Sequence, residues 1–201
     1  MLKIHRILAS GMLFLSVAAC GQNPGELARA AEGAAQPVSA KVPAGKVLVA
    51  YYSHSGNTGA VAKQIAVLTG GDLFEIQTQE AYPADYHTLT EVAKKQLNEG
   101  YRPALKNKVA DMDKYDVVFI GSPDWWGTYA PAVASFLAQY DWKGKKMVPF
   151  FTNGGGGMQR CQSDMQKQLG SVKLSPGVTF YGRSSGAPQG ELEKWLNQTL
   201  Q

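Results

Sequence analysis

The sequence predicts a doubly wound α/β domain, with a five-stranded parallel sheet and helices on both faces. Three observations carry this. Short continuous apolar runs such as Val47-Leu48-Val49-Ala50-Tyr51-Tyr52 have the character of strands buried on both faces. Each run is followed by apolar residues at helical spacing. Five such strand–helix pairs fit between residues 46 and 201, which is the length of one domain.

The elements follow in order. After the first strand, Val61, Ile65 and Leu68 mark a helix that Gly70-Gly71 stop. Asp72 to Gln77 reads as the second strand, and a helix around Leu89 to Glu99 ends at Gly100. Val117 to Ile120 forms the third strand and runs into Gly121-Ser122-Pro123, before a helix marked by Val133, Phe136, Leu137 and Tyr140. Lys146 to Thr152 is the fourth strand, followed by the stripe Met158, Cys161, Met165 and Leu169. Val178 to Gly182 is the fifth, and Leu192, Trp195, Leu196 and Thr199 line the last helix. Pro149 conflicts with its strand, because it lacks the N–H that a central strand uses, so a bulge or local break in pairing is expected there.

Composition narrows the function classes. An apolar fraction of 44% with 18% charged residues excludes a fibrous or wholly disordered chain, and two cysteines exclude a disulfide-dense scaffold. Residues 1–19 have the order of a signal peptide: Lys3 and Arg6, an apolar run too short to span a bilayer, then Val17-Ala18-Ala19. With Cys20 next, the segment resembles a bacterial lipoprotein cleavage box. The resemblance implies export, lipidation of Cys20 and anchoring to a membrane by acyl chains, facing the periplasm. Gly21 rather than Asp after the cysteine favours the outer membrane. Residues 20–45, rich in Ala, Gly and Pro, read as a flexible tether, although Glu26 to Glu32 also suits a short helix. Loss of Lys3 and Arg6 lowers the basic count from 20 to 18 against 16 acids, so the net charge falls from +4 to +2. No basic stripe interleaves with aromatics, so nucleic acid is not an expected partner.

Three loops converge where a ligand crevice belongs, beyond the carboxyl ends of the strands. Ser53-His54-Ser55-Gly56-Asn57-Thr58 offers hydroxyls and backbone N–H groups at a helix N-terminus, suited to one phosphate monoester. It has neither the lysine of a Walker loop nor the glycine spacing for a dinucleotide. The same residues also suit a plain turn and helix cap. Pro123-Asp124-Trp125-Trp126-Gly127 places two tryptophans where a flat ring can stack, or where they pack together. One is expected to cover the core and the other to face a ligand. Asn153-Gly154-Gly155-Gly156-Gly157 admits a ligand against bare backbone. Cys161 falls on an apolar stripe and reads as a buried small hydrophobe, and no His or Cys cluster suggests a metal.

Together these loops resemble the flavodoxin-like family that binds flavin mononucleotide (FMN), and in particular a subgroup with a Trp-Trp-Gly loop. Pro149-Phe150, Ala81-Tyr82-Pro83, Tyr86 and Arg102-Pro103 fit that subgroup as well. The resemblance covers residues 46–201 and implies the strand order 2-1-3-4-5. It implies that Ser53, Ser55, Gly56, Asn57 and Thr58 hold the FMN phosphate, and that Pro123, Asp124, Trp125, Trp126 and Gly127 border the flavin ring. It also implies that Asn153, Gly154 and Gly155 donate to the ring's pyrimidine edge, while His54 points outward or touches the ribityl chain.

Two functions from different classes follow. One is an exported FMN electron carrier serving a redox partner at the membrane. The other is an FMN-dependent reductase of quinones or similar flat acceptors, drawing on a nicotinamide. A flavin-free interaction module is the third and blandest reading. The fold is shared by all three. The weak positive charge departs from the acidity of carriers, while an exported reductase would lack its usual hydride source.

Overall fold

The computed structural model describes residues 46–201; the signal sequence, Cys20 and the tether read from the sequence lie outside the described residues. The chain runs β1 (Lys46–Tyr51), α1 (Asn57–Thr69), β2 (Asp72–Glu75), α2 (Tyr86–Glu99), β3 (Tyr115–Trp125) and β4 (Thr128–Tyr129). It continues through α3 (Pro131–Leu137), β5 (Lys146–Asn153), α4 (Cys161–Leu169), β6 (Val178–Tyr181) and α5 (Gln189–Thr199).

Five strands pair in parallel in the order β2-β1-β3-β5-β6. This is the order 2-1-3-4-5 read from the sequence, with β4 added as a short antiparallel partner of β3. Alternation along the strands divides their apolar residues between two cores. Val47, Val49 and Phe119 pack under α1 and α5 against Ile65, Leu192 and Leu196. Leu48, Ala50, Val118 and Ile120 face the other way, against Val133 and Phe136 of α3 and Met165 of α4. A strand buried on both faces needs an unbroken apolar run, which is why the β1 sequence shows no polar alternation.

Pro149 produces the expected break. It pairs with Ile120 of β3, but the ladder to β6 opens beside it: Met147 bridges Leu174, Gly177 passes against the proline ring, and regular pairing resumes at Phe150–Val178. Other boundaries shift slightly. β3 is longer than its apolar core, and Tyr140 and Met158 fall outside the helices to which the apolar spacing assigns them. Tyr140 instead accepts a hydrogen bond from the Val109 N–H at 2.7 Å.

The chain steps from β1 outward to β2, then returns across β1 to β3. The switch point therefore lies between β1 and β3, where the connections leave in opposite directions and a crevice opens at the carboxyl ends.

Candidate functional site

A cleft of about 670 Å³ occupies that crevice. Ser55 and Asn57 line it from the loop after β1, Pro123, Asp124, Trp125 and Trp126 from the end of β3, and Thr152, Asn153 and Gly154 from the end of β5. The structure thus brings eight of the thirteen sequence-derived binding residues to one cavity. Ser53, Gly56, Thr58, Gly127 and Gly155 lie in the same loops but do not line it.

The first loop enters α1 through Gly56 at φ 86°, and no side chain caps the helix. Its first-turn N–H groups are therefore left without a side-chain partner. The Thr58 hydroxyl is not available to a ligand: it is buried and shares a 2.7 Å hydrogen bond with the Thr152 hydroxyl. His54 lies edge-on to Trp125, ring centroids 6.2 Å apart, and does not line the cleft.

The aromatic loop is a tight hairpin. Asp124 pairs with Tyr129 and Trp125 with Thr128, which leaves Trp126-Gly127 as a two-residue turn. Both have positive φ, 55° and 81°. That is the geometry Asn-Gly normally supplies, and an indole-bearing residue there is strained. Three contacts hold it: the Gly127 N–H donates to Asp124 Oδ1 at 2.8 Å, the Trp126 indole N–H donates to the Thr90 carbonyl at 2.9 Å, and Lys94 Nζ sits 4.8 Å from the indole centroid. Both tryptophans line the cleft, in different settings. Trp125 packs edge-on against Tyr52 and Tyr82, while Trp126 is 53% exposed at the cleft rim.

Asn153 builds the third loop. Its Oδ1 accepts from the N–H groups of Gly155 and Gly157, and its Nδ2 donates to Thr179 Oγ1 and the Phe180 carbonyl. The Asn153 side chain is thus committed to the loop and to β6, and its Oδ1 engages the Gly155 N–H that was expected to face a ligand. Gly154 lines the cleft beside Asn153, and its N–H makes no bond to the Asn153 side chain.

Sequence reading missed part of the lining. Tyr181 and Gly182 from the end of β6, and Leu89, Thr90 and Ala93 of α2, also face the cavity. Tyr86, noted only as part of a family pattern, stands at the rim 77% exposed, with Tyr181 58% exposed. Three large rings left open to solvent around one cleft are the type of surface that waits for a flat partner.

Two buried side-chain oxygens lack any hydrogen-bond partner among the described residues: Ser53 Oγ and Asp124 Oδ2. One lies in the phosphate-type loop and the other in the aromatic loop. Asp124 stands beside the buried Cys161 thiol, and Ser53 does not line the cleft. Burial also raises the Asp124 carboxyl above its usual range, more strongly than the Gly127 N–H lowers it. Cys161 is fully buried, and desolvation, with the nearby Asp124 charge, pushes its thiol up. It behaves as a core residue.

The comparisons agree with this geometry. The family model described as Flavodoxin matches residues 46–199. A candidate flavoprotein from Bacteroides eggerthii is 29% identical, with a TM-score of 0.69 over 77% of this chain and 97% of its own. A flavoprotein in complex with FMN from Lactobacillus acidophilus is 27% identical, with a TM-score of 0.62 over 76% of this chain and 99% of its own. No match was found among curated proteins. A family match across the whole described domain, on a sheet of the order seen here, means that the chain belongs to the flavodoxin family.

Proposed function

We propose that this protein binds FMN in the cleft and exchanges electrons through it at the cell envelope. The open cleft at the switch point, lined by Ser55 and Asn57 and rimmed by the exposed rings of Tyr86, Trp126 and Tyr181, carries this reading. The FMN complex of the Lactobacillus acidophilus relative supports it. The uncapped first turn of α1, with Ser55 and Asn57, would hold the phosphate. Trp126 and Tyr181 would cover the ring, and Gly154 would approach it with bare backbone.

When bound, FMN supplies one- and two-electron exchange. The chain's own residues set the conditions for it. The Asp124–Gly127 bond fixes the hairpin that carries Trp126. Burial raises the Asp124 carboxyl above its ordinary value, so its proton is held more tightly than in the unfolded chain. Tyr52 and Tyr82 pack edge-on against Trp125 and hold it in the cleft wall.

Purified protein should be yellow or should take up one FMN per chain; colourless protein that takes up none would overturn the reading. A second reading, a reductase of quinones or similar flat acceptors, is favoured by the exposed faces of Tyr86 and Tyr181, on which an acceptor can stack. Stopped-flow mixing with NADPH separates the two, because rapid bleaching of the flavin marks a reductase and inertness marks a carrier. The envelope location rests on Cys20. Cys20→Ser should release the protein from membranes, and continued membrane association would refute the anchor.

A further inference from the structure

A second cavity, of about 330 Å³, lies beside the cofactor cleft, and Trp126 lines both. Its lining is mixed, with Gln96, Asn98 and Thr128 beside Leu97, Tyr101 and Trp126. Tyr129 is buried beneath it, and Pro131 and Ala134 complete the floor. The polar groups of that floor satisfy one another: the Tyr129 hydroxyl donates to Gln168 Oε1 at 2.7 Å, and Gln168 Nε2 donates to the Ala134 carbonyl at 2.8 Å. They ask nothing of a ligand.

The charges around the mouth do not balance in this way. Lys94, Arg102 and Arg160 line the cavity against one acid, Asp164. That acid is already held by Lys167 at 2.9 Å and by Arg160 at 3.6 Å. Lys94 and Arg102 make no ion pair among the described residues. Among the described residues Arg102 is therefore left without an ion-pair partner at the mouth of the pocket, beside Lys94, whose Nζ lies 4.8 Å from the Trp126 centroid. Guanidinium groups bind carboxylates and sulfonates through paired hydrogen bonds, and the faces of Trp126 and Tyr101 suit a flat body. The volume is at the small end of ligand sites, enough for one or two rings and too little for a dinucleotide.

We infer that this cavity is a binding site for a small, flat organic anion, its ring against Trp126 and its charge on Arg102 and Lys94. An occupant would sit across a single indole from the cofactor cleft. The site does not depend on the FMN reading, since only Trp126 is common to the two cavities.

The test is calorimetric titration of the purified protein with 2-naphthoate, using uncharged 2-naphthamide for comparison. Saturable binding of one 2-naphthoate per chain is expected, with 2-naphthamide about tenfold weaker. Arg102→Gln should weaken 2-naphthoate about tenfold, and Lys94→Gln should weaken it in the same direction. Both side chains are exposed, so the variants should fold. Binding should persist with FMN present. The inference is overturned by no saturable heat at millimolar probe, by equal affinity for the amide, by indifference to Arg102→Gln, or by loss of binding when FMN is added. Failure of FMN to bind would overturn the cofactor reading alone and leave the FMN-free titrations decisive here.

Discussion

The buried hydroxyls of Thr58 and Thr152 meet at 2.7 Å, tying the first turn of α1 to the carboxyl end of β5 directly beneath the cleft. The bond holds the phosphate-type loop and the glycine loop at a fixed separation. Thr58→Val keeps the shape but strands the Thr152 hydroxyl, and should cost about 1–2 kcal/mol in urea unfolding. The Thr58→Val, Thr152→Val double variant should cost less than the sum of the two singles. Strict additivity would mean the hydroxyls do not depend on each other.

Gly121 and Phe150 face each other across β3 and β5, and a Cβ on Gly121 would collide with the phenyl ring. Gly121→Ala should therefore destabilise the domain by about 3 kcal/mol, the upper range for overpacking. Combining it with Phe150→Leu should recover part of that loss, measured as a rise in Tm over the single variant. No recovery would place the strain elsewhere.

Trp126 adopts a backbone conformation that Asn accepts far more readily. Trp126→Asn relieves that strain while losing the indole bond to Thr90 and the Lys94 contact. These effects oppose each other, so stability should change by less than about 1 kcal/mol. FMN affinity should nevertheless fall about tenfold, because the ring face is gone. A large stability loss with unchanged affinity would assign Trp126 to the scaffold.

Much of the fold was legible because burial dictates it. The β1 run and the Ile65 and Leu192 stripes leave little choice of element, and even the break at Pro149 follows from one missing N–H. The Trp126-Gly127 hairpin was not legible, since the turn is made by a residue that disfavours it and depends on Asp124 and on Thr90 of a distant helix. The commitment of Asn153 to β6 was hidden for the same reason: the partners Thr179 and Phe180 are remote in sequence. Tyr181 was missed as a site residue because strand ends reveal their rim only once the sheet order places them side by side.

The Asp124 carboxyl should leave a pH signature. Its folded pKa is raised by burial, so the folded protein holds the proton more tightly than the unfolded chain. That contribution to stability is fully present below the unfolded value of about 4 and is lost as pH rises through the higher folded value. Wild type should therefore lose stability relative to Asp124→Asn across that window, measured by urea midpoints at successive pH values. A difference that does not vary with pH would contradict the buried, proton-retaining carboxyl.

The most direct test of the account is titration of FMN with the flavin-free protein, read by flavin fluorescence. Saturable quenching at one FMN per chain is the predicted result, weakened by Trp126→Ala. Undiminished flavin fluorescence at excess protein would contradict the assignment of the cleft as a cofactor site.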